Sequence, residues 1–196
     1  MTPHPALPAF QIEPGTALAQ ASPWHHAPVT LDSPALQVMT DLTQVKAANI
    51  HPSVGLRQAE QVMIYQGVRM LFVVVDMPAI LGLVTSTDLS GEKQMRAVHD
   101  RGVRYDELRV ADVMTPADEL QALDFARLKT ASVGHLVATL QRHGRNHMLV
   151  VQAAGQHHPR RVRGVVSRSQ IERQLGQAIT ITPIAHSFSE IERALA

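Results

Sequence analysis

The chain has 196 residues, 45% of them hydrophobic, and a formal net charge of +1, so it can build one good core or two small units sharing one, with no global pull toward nucleic acid or membrane. It has no cysteine, which excludes a disulfide framework, a thiol nucleophile and a cysteine-based metal site. The longest apolar stretch, 70 to 84, is interrupted by Asp76 and Pro78 and is too short to span a bilayer, and the N-terminus lacks the basic region of a signal peptide; a soluble, cytoplasmic protein without a required cofactor is expected.

Residues 1 to 30 carry Pro3, Pro5, Pro8, Pro14, Pro23 and Pro28 with little apolar periodicity, the pattern of an extended arm that Trp24 could tack onto the globule. Asp32-Ser33-Pro34 then has the form of a helix start, a capping residue with proline at the first helical position, followed by Leu36, Met39 and Thr40 on one face. From here an internal repeat organises the chain. Val38-Met39-Thr40 recurs as Val113-Met114-Thr115, and Ser53-Val54-Gly55 recurs as Ser132-Val133-Gly134. Leu71-Phe72-Val73-Val74 recurs as Met148-Leu149-Val150-Val151, and Gly82-Leu83-Val84-Thr85 recurs as Gly164-Val165-Val166-Ser167.

Each copy reads as short strand, amphipathic helix, strand, hairpin, strand and helix. The first helix spans about 54 to 66, with Leu56, Ala59, Val62, Met63 and Tyr65 or Gln66 toward the core and Gly67 as its C-terminal stop. In the second copy Val133, Leu136, Val137 and Leu140 line the helix and Gly144 ends it. The first hairpin turns through Met77-Pro78-Ala79; the second, 153 to 161, is longer. Residues 91 to 111 between the copies are polar and charged, as in a surface helix and linker. Beyond the second copy, Ile179-Thr180-Ile181-Thr182 alternates like a strand, and Ser187 to Glu190 forms a capping box that opens a last helix with Phe188, Ile191 and Leu195 on one side. Four segments follow: a proline-rich arm over 1–30, a first repeat with linker over 31–109, a second repeat over 110–177, and a terminal strand and helix over 178–196.

The chemistry concentrates where the last strand of each copy gives way to its helix. Thr85-Ser86-Thr87-Asp88 places hydroxyls and a carboxylate at a helix N-terminus, where free N–H groups suit a phosphate and a carboxylate one turn in can accept from a ribose diol. The same residues also suit a plain helix cap. This order of Val-Met-Thr, apolar helix, Leu-Phe-Val-Val-Val-Asp and Gly-Leu-Val-Thr-Ser-Thr-Asp-Leu, repeated once, resembles a tandem pair of CBS domains, a Bateman module, over residues 35 to 176.

The resemblance implies a mixed α/β (α+β) fold in which two β-α-β-β-α repeats pack through their sheets as a pseudo-twofold pair. It implies adenosine nucleotides or S-adenosylmethionine in the clefts between them, a sensor or regulatory role without enzymatic activity, a homodimer, and a partner protein it does not name. Carried over, Thr85 and Asp88 match the family's hydroxyl and ribose-binding carboxylate, and Thr87 matches the residue before the carboxylate. Ser167 matches in the second copy, but Gln170 stands where Asp or Asn is usual, so that site would hold a diol less firmly. Arg168 stands where a basic residue can reach phosphates. His147 stands where a ligand-facing polar residue is common, against an apolar first-copy counterpart, Leu71. A CBS-fold scaffold that has lost its ligand is the competing expectation.

Other chemistries find less support. His143 and His147 are four apart, but Gly144 between them breaks a shared helical face, and His25-His26 and His157-His158 lack a nearby carboxylate, so no metal is expected. Gly91-Glu92-Lys93 lacks the spacing of a phosphate loop, and no nucleophile elbow is present. Residues 142 to 173 hold seven arginines against one acid, Glu172, but no aromatic residue lies between 126 and 187, which argues against nucleic acid.

Overall fold

The computed structural model describes residues 8–17, 27–156 and 158–181. Trp24, the terminal helix expected from Ser187, and His25, His26 and His157 lie outside the described residues. In chain order the elements are β1 (Met39–Asp41), β2 (Asn49–Ile50), α1 (Leu56–Gln66), β3 (Met70–Val73), β4 (Gly82–Thr85), α2 (Ser86–Ser90) and α3 (Glu92–Arg101). They continue with α4 (Val110–Val113), β5 (Thr115–Pro116), β6 (Ala122–Asp124), α5 (Phe125–Leu128), α6 (Val133–His143), β7 (His147–Gln152), β8 (Arg161–Ser167) and α7 (Arg168–Leu175).

Two four-stranded sheets are formed, in the orders β1-β8-β7-β6 and β2-β3-β4-β5. Read from opposite ends they are the same sheet, with β1, β8, β7 and β6 corresponding to β5, β4, β3 and β2. This is the mixed α+β, pseudo-twofold arrangement that the resemblance implies. The strand that opens each copy is exchanged: β1 pairs antiparallel with β8 of the second copy, and β5 pairs antiparallel with β4 of the first. Two isolated bridges obey the same symmetry, Pro34 to Ser132 and Arg109 to Gly55, each joining the start of one copy to the N-cap of the other copy's long helix.

The central strands alternate between two cores. Leu71, Val73 and Val84 face the helices of the first layer, and Met148, Val150 and Val166 face those of the second. Phe72, Val74, Leu83, Leu149 and Val165 point the other way and meet between the two sheets. Both faces of each sheet are thus covered, which is why these strands read as continuous apolar runs rather than alternating ones.

Several sequence expectations shift. Asp32-Ser33-Pro34 opens only a single 3-10 turn, Ala35–Val38, after which Met39 and Thr40 belong to a strand. Helix α1 turns Leu56, Ala59 and Met63 inward but leaves Tyr65 93% and Ile64 74% exposed, and Gln66 is exposed too, so the expected inward placement of Tyr65 or Gln66 does not hold. Residues 91 to 111 are not a surface linker alone, because Ala97, Leu108 and Val110 are buried in the first core. Residues 179 to 181 form no strand, although Ile179 packs in the second core. The glycine stops hold: Gly67 and Gly144 both take the left-handed conformation, at φ of 64° and 58°. Counting between those stops, Gly55 corresponds to Ser132, so the match of Ser53 with Ser132 is out of step by two residues. Met70 lies opposite Thr85 as His147 lies opposite Ser167, so the apolar counterpart of His147 is Met70 rather than Leu71.

Candidate functional site

Strands β4 and β8 each run into a helix at the same end of the molecule, because each copy turns directly from its last strand into its helix. The glycine that begins each motif serves packing. A Cβ on Gly82 would overlap the carbonyl oxygen of Thr115 on β5, and one on Gly164 would come within 2.8 Å of the Thr40 carbonyl oxygen on β1. Only glycine lets the exchanged strand lie this close. The same hydrogen bond secures both turns: Ser86 N–H donates to the Arg69 carbonyl and Arg168 N–H to the Asn146 carbonyl, each at 2.9 Å.

Between these turns lies a cleft of about 390 Å³ lined from both copies. Thr85, Thr87 and Asp88 contribute from the first copy, and His147 and Arg168 from the second. Ser167 and Gln170 are not among its lining residues. Ser167 Oγ lies 2.8 Å from Ser169 Oγ, and Gln170 is only 4% exposed, with its Oε1 accepting from Arg173 at 3.2 Å. The structure therefore brings five of the seven expected residues together and leaves two outside.

Asp88 is already engaged by its own chain. Thr85 N–H and Oγ1–H donate to Asp88 Oδ2 at 2.8 and 2.7 Å, and Asp88 N–H donates back to Thr85 Oγ1 at 3.3 Å. This reciprocal pair is a capping box at the start of α2, with threonine at the N-cap and aspartate at the third helical position. The other oxygen, Oδ1, receives Lys93 Nζ at 2.8 Å. Lys93 extends from α3 and also donates to Thr115 Oγ1, at 2.8 Å, on the exchanged strand β5.

The cleft is cationic. Arg69, Lys93, Arg145 and Arg168 line it against Asp88 and Glu119. Arg168 is paired with Glu172 at 3.3 Å and Lys93 with Asp88, whereas the Arg69 and Arg145 guanidinium groups meet no acid or acceptor among the described residues. Burial lowers the pKa of the His147 imidazole below its usual value, and the neighbouring Arg69 charge lowers it further. Arg69, Lys93 and Thr115 were not legible as site residues, since no motif marks them. Lys93 follows a glycine that separates two helices, and only the packing of α3 brings it back to Asp88. Among the described residues no group of three or more His, Asp or Glu side chains could hold a metal ion. The arginines of 142 to 173 do not make one free basic face, because Arg161, Arg163, Arg168 and Arg173 are engaged by Gln152, Asp41, Glu172 and Gln170.

No family model matches the sequence, and no curated protein matches it. Solved structures do match its fold. An uncharacterized conserved protein from Pyrococcus horikoshii is 19% identical, over 79% of this chain and 100% of that one, with a TM-score of 0.53. CBSX2 in complex with AMP is 18% identical, over 72% of this chain and 94% of that one, with a TM-score of 0.52. The CBS-domain containing protein ATU1752 from Agrobacterium tumefaciens is 15% identical, over 74% and 94%, with a TM-score of 0.52. The chain has the fold of a tandem CBS-domain pair. Among the described residues, no helix is long and apolar enough to cross a membrane.

Proposed function

Proceeding from the CBS-pair fold, we propose that this chain is a regulatory module, not an enzyme, that binds an adenosine-containing ligand in the cleft beside Asp88 and reports it through a change of shape or partner affinity. The observation that carries the reading is the convergence of Thr85, Thr87 and Asp88 with His147 and Arg168 on one cleft, although they come from opposite copies. A ligand there touches both copies at once, so it can favour one mutual arrangement over another, which differential affinity requires. CBSX2, which shares the fold, carries AMP in its structure, and this supports the ligand class. Asp88 would hold the ribose hydroxyls, Thr85 and Thr87 would flank them, and Arg168 would face phosphate. Gln170 and Ser167 take no part in this cleft. The candidate ligands are AMP, ADP, ATP and S-adenosylmethionine.

A thermal-shift series with these four ligands tests the reading. A ligand at a hundredfold excess over its dissociation constant adds about 2.7 kcal/mol of stability, and Asp88→Asn should abolish the shift. Asn keeps an acceptor for the Thr85 cap, whereas Ala would remove both the capping box and the Lys93 pair and lower stability by roughly 1 kcal/mol on its own. An unchanged shift in Asp88→Asn would remove Asp88 from the site.

One observation favours a second reading, a ligand-free scaffold: both Asp88 oxygens are already occupied by Thr85 and Lys93. It predicts no thermal response to any of the four ligands. Homodimerisation belongs to the first proposal, and Ile64 and Tyr65 on the outer face of α1 offer it apolar surface. Sedimentation of the wild type beside Tyr65→Lys tests it.

A further inference from the structure

Lys93 does more than pair with Asp88. It occupies the position from which a ligand must draw the carboxylate, since Thr85 already takes Oδ2 and Lys93 takes Oδ1. Thr85 fills both acceptor sites of Oδ2 and Lys93 one of the two on Oδ1, so a diol with two hydroxyl donors finds one site open and competes with the ammonium at 2.8 Å for the other. A neutral nucleoside brings nothing to compensate Lys93 for that loss. A phosphorylated ligand does, because its phosphate can receive the ammonium while its ribose takes Oδ1.

We infer that Lys93 is a specificity-determining residue that makes the cleft select phosphorylated adenosine ligands over adenosine and S-adenosylmethionine. The inference rests on the adenosine-site reading and deepens it. Two further observations agree with it. Arg69 and Arg145 line the same cleft and meet no acid or acceptor among the described residues, and the charged lining side chains are four bases against two acids. Such a surplus favours an anion. S-adenosylmethionine carries a sulfonium and an ammonium against one carboxylate, so it adds positive charge where the cleft has an excess. Exchange is also easy on the lysine side. Its side chain is 44% exposed, so the ammonium can swing to a phosphate without being dragged through the core. Lys93 also donates to Thr115 on β5, so its movement would release a contact between α3 and the strand exchanged from the second copy. That gives the selected ligand a route to both copies.

The test is calorimetric titration of the full chain with AMP, ADP, ATP, adenosine and S-adenosylmethionine, in the wild type, Lys93→Met and Lys93→Arg. The wild type should bind at least one nucleotide about ten-fold or more tighter than adenosine or S-adenosylmethionine, the effect of one hydrogen bond to a charged group. Lys93→Met should shrink that preference about ten-fold, with adenosine binding no weaker than before, and Lys93→Arg should retain it. A wild type that binds S-adenosylmethionine or adenosine as tightly as any nucleotide overturns the inference while leaving the adenosine cleft standing. This comparison needs no variant, so a Lys93 substitution that fails to fold does not shelter the idea. Loss of nucleotide, adenosine and S-adenosylmethionine binding in equal proportion in a folded Lys93→Met would also overturn it, by reducing Lys93 to a structural prop. Binding of none of the five by the wild type would overturn the adenosine reading and the inference together.

Discussion

Arg163 holds Asp41 as a carboxylate through two hydrogen bonds, Nε to Oδ1 at 2.9 Å and Nη2 to Oδ2 at 2.6 Å, with Thr43 donating from its backbone and hydroxyl. Together they lower its pKa from 3.8 to about 2, against the opposing pull of burial. A carboxyl whose folded pKa lies below its unfolded one adds stability that is complete above about pH 4 and is lost as pH falls through the folded value. Urea midpoints for the wild type should therefore decline between pH 4 and 2, and Asp41→Asn should be lower at neutral pH and flatter across that window. His147 gives a second pH-dependent expectation. Its folded pKa is lowered by burial and by Arg69, so it is neutral at pH 7 and withdraws stability as pH falls below 6.5. A phosphate beside Arg69 would offset that charge, and the NMR titration of the His147 ring should then move upward on ligand binding. Asp41 and His147 differ in legibility. His147 could be singled out only through the family resemblance, whereas the Asp41–Arg163 pair joins residues 122 apart and leaves no local signal.

The helices and strands follow from short-range chemistry, and their stops are the clearest part. Gly67 and Gly144 take left-handed φ values that cost an L side chain about 1 kcal/mol, so Gly67→Ala and Gly144→Ala should each lower stability by about that amount in chemical denaturation. The cap at Thr85 was equally legible, because threonine three residues before an acid satisfies the first turn of α2 by itself. Gly82 and Gly164 tell a different story. In sequence they only open the repeated motif, and it is the structure that sets them against the backbones of exchanged strands. Gly82→Ala should cost roughly 1–3 kcal/mol or more, since a backbone carbonyl cannot step aside. Gly164→Ala should cost less, because part of its crowding comes from the flexible Met39 thioether. The stretch 91 to 111 misled for a related reason. Its composition is polar, but three of its apolar residues suffice to bury one side of it against the first core.

At the scale of the whole molecule, the strand exchange ties the two copies together. A fragment of 110–181 would lack β1 and leave the long edge of β8 unpaired, with Leu149 and Val165 of the inter-sheet core uncovered. It should show no cooperative unfolding transition by circular dichroism, whereas the full chain should show one; a cooperative transition in the fragment would mean that each copy is a unit in its own right. The sequence alone determined the repeat, the apolar runs of the central strands, the glycine stops and the residue types at the two strand-to-helix turns, because these depend on contacts within a few residues. Tertiary structure alone decided which sheet each opening strand joins, that Gln170 turns into the core while Arg69 enters the cleft, and that Lys93 reaches Asp88. Those outcomes depend on which surfaces meet after two similar layers pack. A pattern of residue types along one chain carries no record of the distances between side chains on different elements.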